Sequence, residues 1–116
     1  MRVLIVGSRS ITKFDLSDFI PRDVELIITG GADGVEALAE KYAAKHRISK
    51  LIMYPQYKKF GKYAPVKRNE LMVDIADKVI VIWDGSSKGA YYTLKYAERT
   101  KKEIVAVRYS DENESV

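Results

Sequence analysis

The sequence predicts an α/β domain in which five parallel strands form one doubly wound sheet. Five short apolar runs are typical of strands buried on both faces of such a sheet, and they lie near residues 2–6, 24–28, 50–54, 78–83 and 103–108. Helical patterns separate the runs, which implies right-handed crossovers. Three of the runs end in a small or glycine-rich turn that could open a helix. A chain of 116 residues has room for one domain of this kind.

Helices are predicted in the intervals between these strands. The first is short, over 15–20, and the second runs from about 34 to 46 with an apolar stripe that leaves Glu36 on its other side. The third covers about 66–76. The fourth covers about 89–100, and its inward-facing residues are Ala90, Thr93, Leu94 and Ala97. His46, at the end of the second helix, is expected to pack or to interact with the helix dipole.

The segment 55–65 shows neither a helical nor a strand period and is predicted to be a long loop. Its aromatic residues alternate with lysines, which could stack on a base and attract a phosphate. The alternative is that the aromatic side chains merely hold the loop against the body of the domain.

Composition excludes several kinds of site. The chain has no cysteine and one histidine, so disulfides, thiol nucleophiles, zinc-thiolate centres and histidine-rich metal sites are not expected. No apolar run is long enough to span a bilayer and no signal-peptide pattern is present, which predicts a cytoplasmic protein without a membrane partner. Three acidic residues lie in the segment 110–116, which is expected to be a disordered tail behind a domain of residues 1–109. The net charge of +4 suits an anionic partner.

Three turns are expected to meet at one edge of the sheet, because the carboxyl ends of parallel strands lie together. Free N–H groups and helix N-termini at that edge favour a phosphate-bearing ligand. The candidate ligand-binding residues of the three turns are Gly7, Ser8 and Arg9, then Gly30, Gly31, Asp33 and Gly34, and lastly Gly85, Ser86, Ser87, Lys88 and Gly89. Of the second turn, we expect positive φ at the paired glycines and close backbone approach at Gly34. Asp33 is expected to cap the following helix, with a ribose or catalytic role as the alternative.

Arg68 and Asn69 begin the third helix at the same edge and could bind a phosphate, a ribose or a base. The alternative for Arg68 is a structural arginine that ties neighbouring carbonyl groups together. Candidate catalytic carboxylates beside the turns are Glu36, Asp33 and Asp84, with Glu70 as a further one, and Glu36 could also contact a ribose hydroxyl.

In order along the chain, the segments 7–9, 30–39, 61–72 and 83–93 resemble the SLOG superfamily of Rossmann-like proteins. That superfamily includes DprA-type DNA-processing proteins and LOG-type phosphoribohydrolases, and the chain looks most like its small stand-alone YspA-like, cpYpsA-related branch. The resemblance implies strand order 3-2-1-4-5 and a nucleotide-derived ligand, such as a nucleoside phosphate, ADP-ribose or NAD, between the first and fourth strands. No further cofactor is implied.

The last turn departs from the LOG pattern P-G-G-x-G-T-x-x-E. Aligning its glycine with Gly89 places Ala90 at the threonine and Thr93 at the glutamate, and a threonine cannot act as a general acid or base. Residues 88–93 follow the DprA pattern S-G-S-L-I-T more closely, although Asp33 replaces the arginine of that family. The function expected first is therefore a nucleotide sensor or binding module. A nucleotide N-glycosidic hydrolase and a DprA-like binder of single-stranded nucleic acid are the alternatives, and whether the chain is an enzyme stays open.

A homodimer is expected from the outer surface of the last two helices. Tyr92 and Tyr96 are placed there beside Leu71 or Val73, and tyrosines next to aliphatic side chains are typical of interfaces.

Overall fold

The computed structural model describes residues 1–110. The strands are β1 (Arg2–Gly7), β2 (Leu26–Thr29), β3 (Ser49–Ile52), β4 (Lys78–Trp83) and β5 (Glu103–Arg108). The helices are α1 (Val35–Lys45), α2 (Tyr57–Phe60), α3 (Ala64–Ile75) and α4 (Lys88–Arg99), and a 3-10 turn (Gly61–Tyr63) joins α2 to α3. All of the predicted tail except Ser110 lies outside the described residues.

The five strands form one parallel sheet in the order β3-β2-β1-β4-β5, which confirms the predicted fold class and strand order. The chain moves outward from β1 to β3 on one side and then returns to β4 on the other side of β1. The boundary between β1 and β4 is therefore the topological switch point, where open α/β sheets bind their ligands.

Alternate residues of β1 point to opposite faces of the sheet. Val3 and Ile5 pack on one face with Val35 and Ala39 of α1. Leu4 and Val6 pack on the other face, in the same cluster as buried residues of α3 and α4. Because β1 and β4 are buried on both sides, the switch point lies on the most deeply buried strands of the sheet.

The edge strands do not share this burial. Ser49, Lys50 and Leu51 of β3 are exposed, and β5 is only partly covered. The prediction that all five strands are buried on both faces is therefore wrong for β3 and β5. Each has a neighbouring strand on one side only, and the helices concentrate over the centre of the sheet.

Two segments fold differently from the prediction. Residues 15–20 form turns instead of a helix, because Asp15 accepts hydrogen bonds from the Ser17 amide at 2.9 Å and the Ser17 hydroxyl at 2.6 Å. Such local bonds compete with helical ones. Residues 55–65 contain α2, the 3-10 turn and the start of α3, where Pro65 is tolerated because the first turn needs no amide donor.

The outer surface of α3 and α4, which was predicted to support a homodimer, is less available than expected. Val73 is fully buried, so it cannot contribute to an interface. Tyr92 and Tyr96 are partly covered, and their hydroxyls donate to Glu70 at 2.5 Å and to Asp74 at 2.7 Å, across the contact between α3 and α4. The homodimer stays a prediction.

Among residues 1–110, no helix is long and apolar enough to cross a bilayer.

Candidate functional site

A cleft of about 480 Å³ opens at the switch point, at the carboxyl edge of β1 and β4. The structure brings eight of the predicted residues to its wall: Gly7, Arg9, Glu36, Arg68, Asn69, Asp84, Ser87 and Gly89. The remaining wall residues are Val6, Ser10, Ala32, Pro65, Ala90 and Thr93. Of the other predicted ligand-binding residues, Asp33 and Lys88 are exposed outside the wall, and the rest belong to the turns behind it.

Two glycines let the first turn approach its neighbours. A Cβ on Gly7 would stand 2.2 Å from the carbonyl oxygen of Ile82, so β1 could not pass β4 at this point with any larger residue. A Cβ on Gly34 would stand 2.3 Å from the carbonyl oxygen of Ser8 and 2.6 Å from the Cα of Arg9. The amide of Val35 donates to that same Ser8 carbonyl at 3.3 Å. The first turn is therefore held directly against the start of α1.

The second turn encloses a buried carboxylate, although Glu36 was predicted to lie off the buried stripe of α1. That prediction is wrong, because Glu36 is only 8% exposed. Its Oε1 accepts hydrogen bonds from the Gly30 amide at 2.7 Å and from the Thr29 hydroxyl at 3.3 Å. These bonds occupy one carboxylate oxygen, and within the described chain no donor is bound to Oε2. A fixed carboxylate with one free oxygen thus forms part of the cleft wall.

Arg68 reaches the same turn from α3. Its Nη1 donates to the carbonyl oxygens of Gly30 and Met53, both at 3.1 Å, and its Nε donates to Asn69 Oδ1 at 2.8 Å. The side chain therefore does tie carbonyl groups together, as the structural alternative held. For residues 1–110 the structure shows no hydrogen bond from Nη2, so this alternative leaves part of the guanidinium available to a ligand.

Gly30 separates the two charged groups. A Cβ at this position would stand 2.6 Å from Glu36 Oε1 and 2.7 Å from Arg68 Nη1. Each group is bound to the Gly30 backbone instead of to the other. Gly30 does not have the positive φ expected of it, whereas Gly31 has φ +78°. The glycine is needed at position 30 for space and at position 31 for conformation.

The turn that follows β4, residues 84–89, is called the fourth turn after its strand, and Asp84 connects it to the first turn. Its Oδ2 accepts from the Ser10 hydroxyl at 2.6 Å, and its Oδ1 accepts from the amides of Ser86 at 2.8 Å and Ser87 at 3.1 Å. The Asp84 amide donates to the Ser8 hydroxyl at 2.9 Å. These hydrogen bonds, the one from Ser10 foremost, hold the pKa of the Asp84 carboxyl well below its usual range. The group stays ionised at neutral pH and is poorly suited to donate a proton.

The fourth turn presents a helix N-terminus to the cleft. Ser87 caps α4 by accepting from the Ala90 amide at 3.3 Å, and Gly89 has open space around its α-carbon. Gly85 has φ +94° and packs beneath the Arg108 guanidinium, while Lys88 is exposed outside the wall. The fourth turn thus offers backbone groups to the cleft, and its lysine is not part of the lining.

Asp33 is exposed and lies outside the wall. The residue at the N-cap of α1 is Gly34, and no side chain makes a capping bond there, so the expected cap by Asp33 is wrong. The reason is the contact between Gly34 and the first turn, through which the Ser8 carbonyl takes the Val35 amide. Arg9, in contrast, lies in the wall and forms no ion pair within the described chain.

Ala90 and Thr93 are wall residues that the sequence did not indicate as ligand contacts. Ala90 and Thr93 were predicted to face the sheet, and they are buried at the floor of the cleft as well. Ser10 follows Ser8 at the spacing that lets both hydroxyls meet Asp84, which only the pairing of β1 with β4 reveals. Comparison of the chain with family models, with curated proteins and with solved structures finds no match.

Proposed function

We propose that the chain binds a nucleotide or nucleotide-derived ligand, with at least one phosphate and a ribose, in the cleft at the switch point. The observation that carries the proposal is the position of this cleft between β1 and β4, where the turns after these two strands, the start of α1 and α3 supply its polar wall. Nucleoside phosphates, ADP-ribose and NAD all share the required phosphate and ribose.

The phosphate end of the ligand is assigned to the Arg9 side of the cleft. Arg9 has no carboxylate partner in the described chain, and the first turn of α4 presents its N-terminal backbone beside it in the same wall. A helix N-terminus and an arginine both favour a phosphate, the first through its dipole and the second through paired hydrogen bonds.

The ribose is assigned to Glu36. Its Oε1 is occupied by the Gly30 amide, so its Oε2 is the acceptor available to a hydroxyl in the cleft. The bound carboxylate cannot swing to the surface without losing that hydrogen bond. Asn69, whose Oδ1 is held by Arg68, has an amide group left for a base or a second hydroxyl.

Thermal unfolding against a panel of nucleoside mono- and diphosphates, ADP-ribose and NAD tests the proposal. Binding to the folded state alone stabilises it by about 2.7 kcal/mol at a hundredfold excess over Kd. In a domain of this size that raises the Tm by roughly 10 °C. If no member of the panel raises the Tm, the proposal is wrong.

Two variants locate the ligand. Arg9→Ala removes an exposed, unpaired side chain, and Glu36→Gln retains an acceptor for Gly30 while it removes the charge. Both should keep the Tm of the free protein close to its original value and reduce the ligand-induced shift. Arg22→Ala, which changes an exposed arginine outside the cleft, is the matched control and should change neither quantity. An equal shift in all three variants would show that the ligand binds elsewhere.

A nucleotide N-glycosidic hydrolase is the second candidate, and the free Oε2 of Glu36 is the observation that favours it. A buried, oriented carboxylate can assist water or stabilise a cationic sugar. Incubation with nucleoside monophosphates, followed by chromatography of the free base, tests this activity. Release by the original chain and by Arg22→Ala that is lost in Glu36→Gln would support the hydrolase. Equal release by Glu36→Gln would exclude Glu36 as its carboxylate.

A further inference from the structure

Charge is divided unevenly along this chain. No aspartate or glutamate occurs between Glu40 and Glu70, an interval that holds nine lysines and arginines. The rest of the chain has 16 acidic residues and 11 basic ones. The modest overall charge therefore conceals a strongly basic part, made of the end of α1, β3, α2, the 3-10 turn and the start of α3.

Exposed aromatic side chains gather in the same part. Six large hydrophobic residues are exposed among those described, and five of them lie in the interval 51–71. Three are tyrosines around α2 and the 3-10 turn, namely Tyr54, Tyr57 and Tyr63, which are 67%, 61% and 59% exposed. We call these tyrosines, together with Lys58, Lys59 and Lys62, the tyrosine-lysine surface.

The cations of this surface are not neutralised within the described chain. Lys50 and Lys67 pair with the two glutamates that border the interval, at 3.3 Å and 3.6 Å. Lys58, Lys59 and Lys62 form no such pair there and are exposed. Lys59 and Lys62 instead lie 5.2 Å from the ring centres of Phe60 and Tyr63. The positive charge therefore stands next to aromatic rings and open to a ligand.

The tyrosine-lysine surface adjoins the cleft. A Cβ on Gly31 would meet the Tyr54 ring at 3.3 Å, and the next residue, Ala32, lies in the cleft wall. Arg68 also lines both the cleft and a small hollow that contains Tyr54 and Phe60. A chain leaving the cleft past Ala32 or Arg68 would thus reach Tyr54.

We propose that the tyrosine-lysine surface binds a single-stranded nucleic acid, with bases stacked on the tyrosines and phosphates beside the lysines. Aromatic rings combined with unpaired cations are the chemistry by which proteins hold single strands without reading their sequence. The surface stands independently of the cleft, and only its continuity with a nucleotide site rests on the proposed function.

Other occupants fit the surface less well. A second copy bound symmetrically would bring two basic surfaces together, which like charges oppose. A membrane-binding helix needs a long apolar face, whereas α2 has four residues and none of them is buried. An acidic peptide would satisfy the lysines but would leave the tyrosine rings without stacking partners.

Fluorescence anisotropy with labelled 20-nucleotide DNA and RNA single strands tests the proposal. The triple variant Lys58→Gln, Lys59→Gln, Lys62→Gln should bind at least tenfold more weakly at low salt, and the slope of log K against log salt should fall by about 2. The matched control Lys13→Gln, Lys95→Gln, Lys101→Gln removes the same charge outside the interval and should retain the original slope. An equal loss of affinity in the two variants would mean that only the net charge of the protein matters, and it would overturn the proposal.

The double variant Tyr57→Leu, Tyr63→Leu tests stacking, because its charge is unchanged. It should weaken binding about tenfold or more with the same salt slope. No binding at low salt, or equal binding of the oligonucleotides by the tyrosine variant and the original chain, would contradict the proposal. Poly-glutamate has no bases to stack, so it should bind the tyrosine variant and the original chain equally. The mononucleotide shift of Tm should be unchanged in the lysine variant, so failure of the surface and failure of the cleft give different results.

Discussion

The contact between Gly34 and the first turn can be measured with three glycine-to-alanine substitutions. Gly34 has φ 76° and ψ −128°, and Gly61 has nearly the same conformation, φ 56° and ψ −133°. Side chains rarely adopt this region, which costs about 1–3 kcal/mol per residue. The two positions differ in their surroundings, because a Cβ on Gly34 would meet the Ser8 backbone at 2.3 Å and a Cβ on Gly61 would meet nothing within 4 Å.

Gly61→Ala should therefore destabilise the domain through backbone strain alone, by about 2 kcal/mol. Gly34→Ala adds a clash with backbone atoms that cannot rotate away, at a further 1–3 kcal/mol or so, for a total of about 4 kcal/mol. At roughly 4 °C per kcal/mol in a domain of this size, its Tm should fall by about 16 °C. Gly89→Ala has neither strain nor contact and should raise the stability by up to about 1 kcal/mol.

Urea unfolding monitored by circular dichroism gives the three free energies. The expected order, from most to least stable, is Gly89→Ala, original chain, Gly61→Ala, Gly34→Ala. If Gly34→Ala and Gly61→Ala lose the same free energy, the close approach of α1 to the first turn contributes nothing to stability. The m-values should agree among the variants, because none changes the surface exposed on unfolding by much.

Two further substitutions test hydrogen bonds described above. Asp84→Asn should destabilise the domain at pH 7, and its difference in stability from the original chain should shrink below about pH 4. Folding lowers the pKa of this carboxyl, so the ionised group stabilises the domain above its unfolded pKa of roughly 3.9 and loses that effect as it protonates. Urea midpoints at pH 7, 4 and 2.5 measure the difference in stability, and a constant difference would contradict the prediction. Tyr92→Phe should lower stability by about 1 kcal/mol through the lost bond to Glu70, whereas Tyr91→Phe, whose hydroxyl has no such partner in the described chain, should leave the midpoint unchanged. Equal midpoints for the two tyrosine variants would remove the bond between α3 and α4 as a source of stability.

Several strands were predictable because their signal is local. The apolar runs at 78–83 and 103–108 coincide with β4 and β5, and α4 lies one residue from its predicted limits. Glycines at 7 and 34 were likewise recognisable, since a glycine in a turn allows close approach of backbones. The position of the cleft was predicted from the strand order, and the strand order was predicted only from the resemblance of the motifs to a known superfamily.

Where prediction failed, distant residues outweighed the local pattern. The helical period predicted that Glu36 faces solvent, because the period reports only which side of α1 packs on the sheet. It contains no information about the Gly30 turn, whose amide binds the Glu36 carboxylate. Arg68 reaches the same turn from 38 residues away along the chain. The hydrogen bond from the Ser17 amide to the Asp15 carboxylate replaces the helix that the apolar residues at 16 and 20 alone would allow.

The sequence by itself therefore determined the class of the fold, the positions of the central strands and the turns at the carboxyl edge of the sheet, because backbone conformation and hydrophobic period are properties of neighbouring residues. Only the tertiary structure decided which side chains remain available to a ligand. Hydrogen bonds between remote turns occupy Asp84 and one oxygen of Glu36, whereas Arg9 stays unpaired within the described chain. Such partnerships depend on which turns parallel pairing brings together, and that register is a property of the assembled sheet.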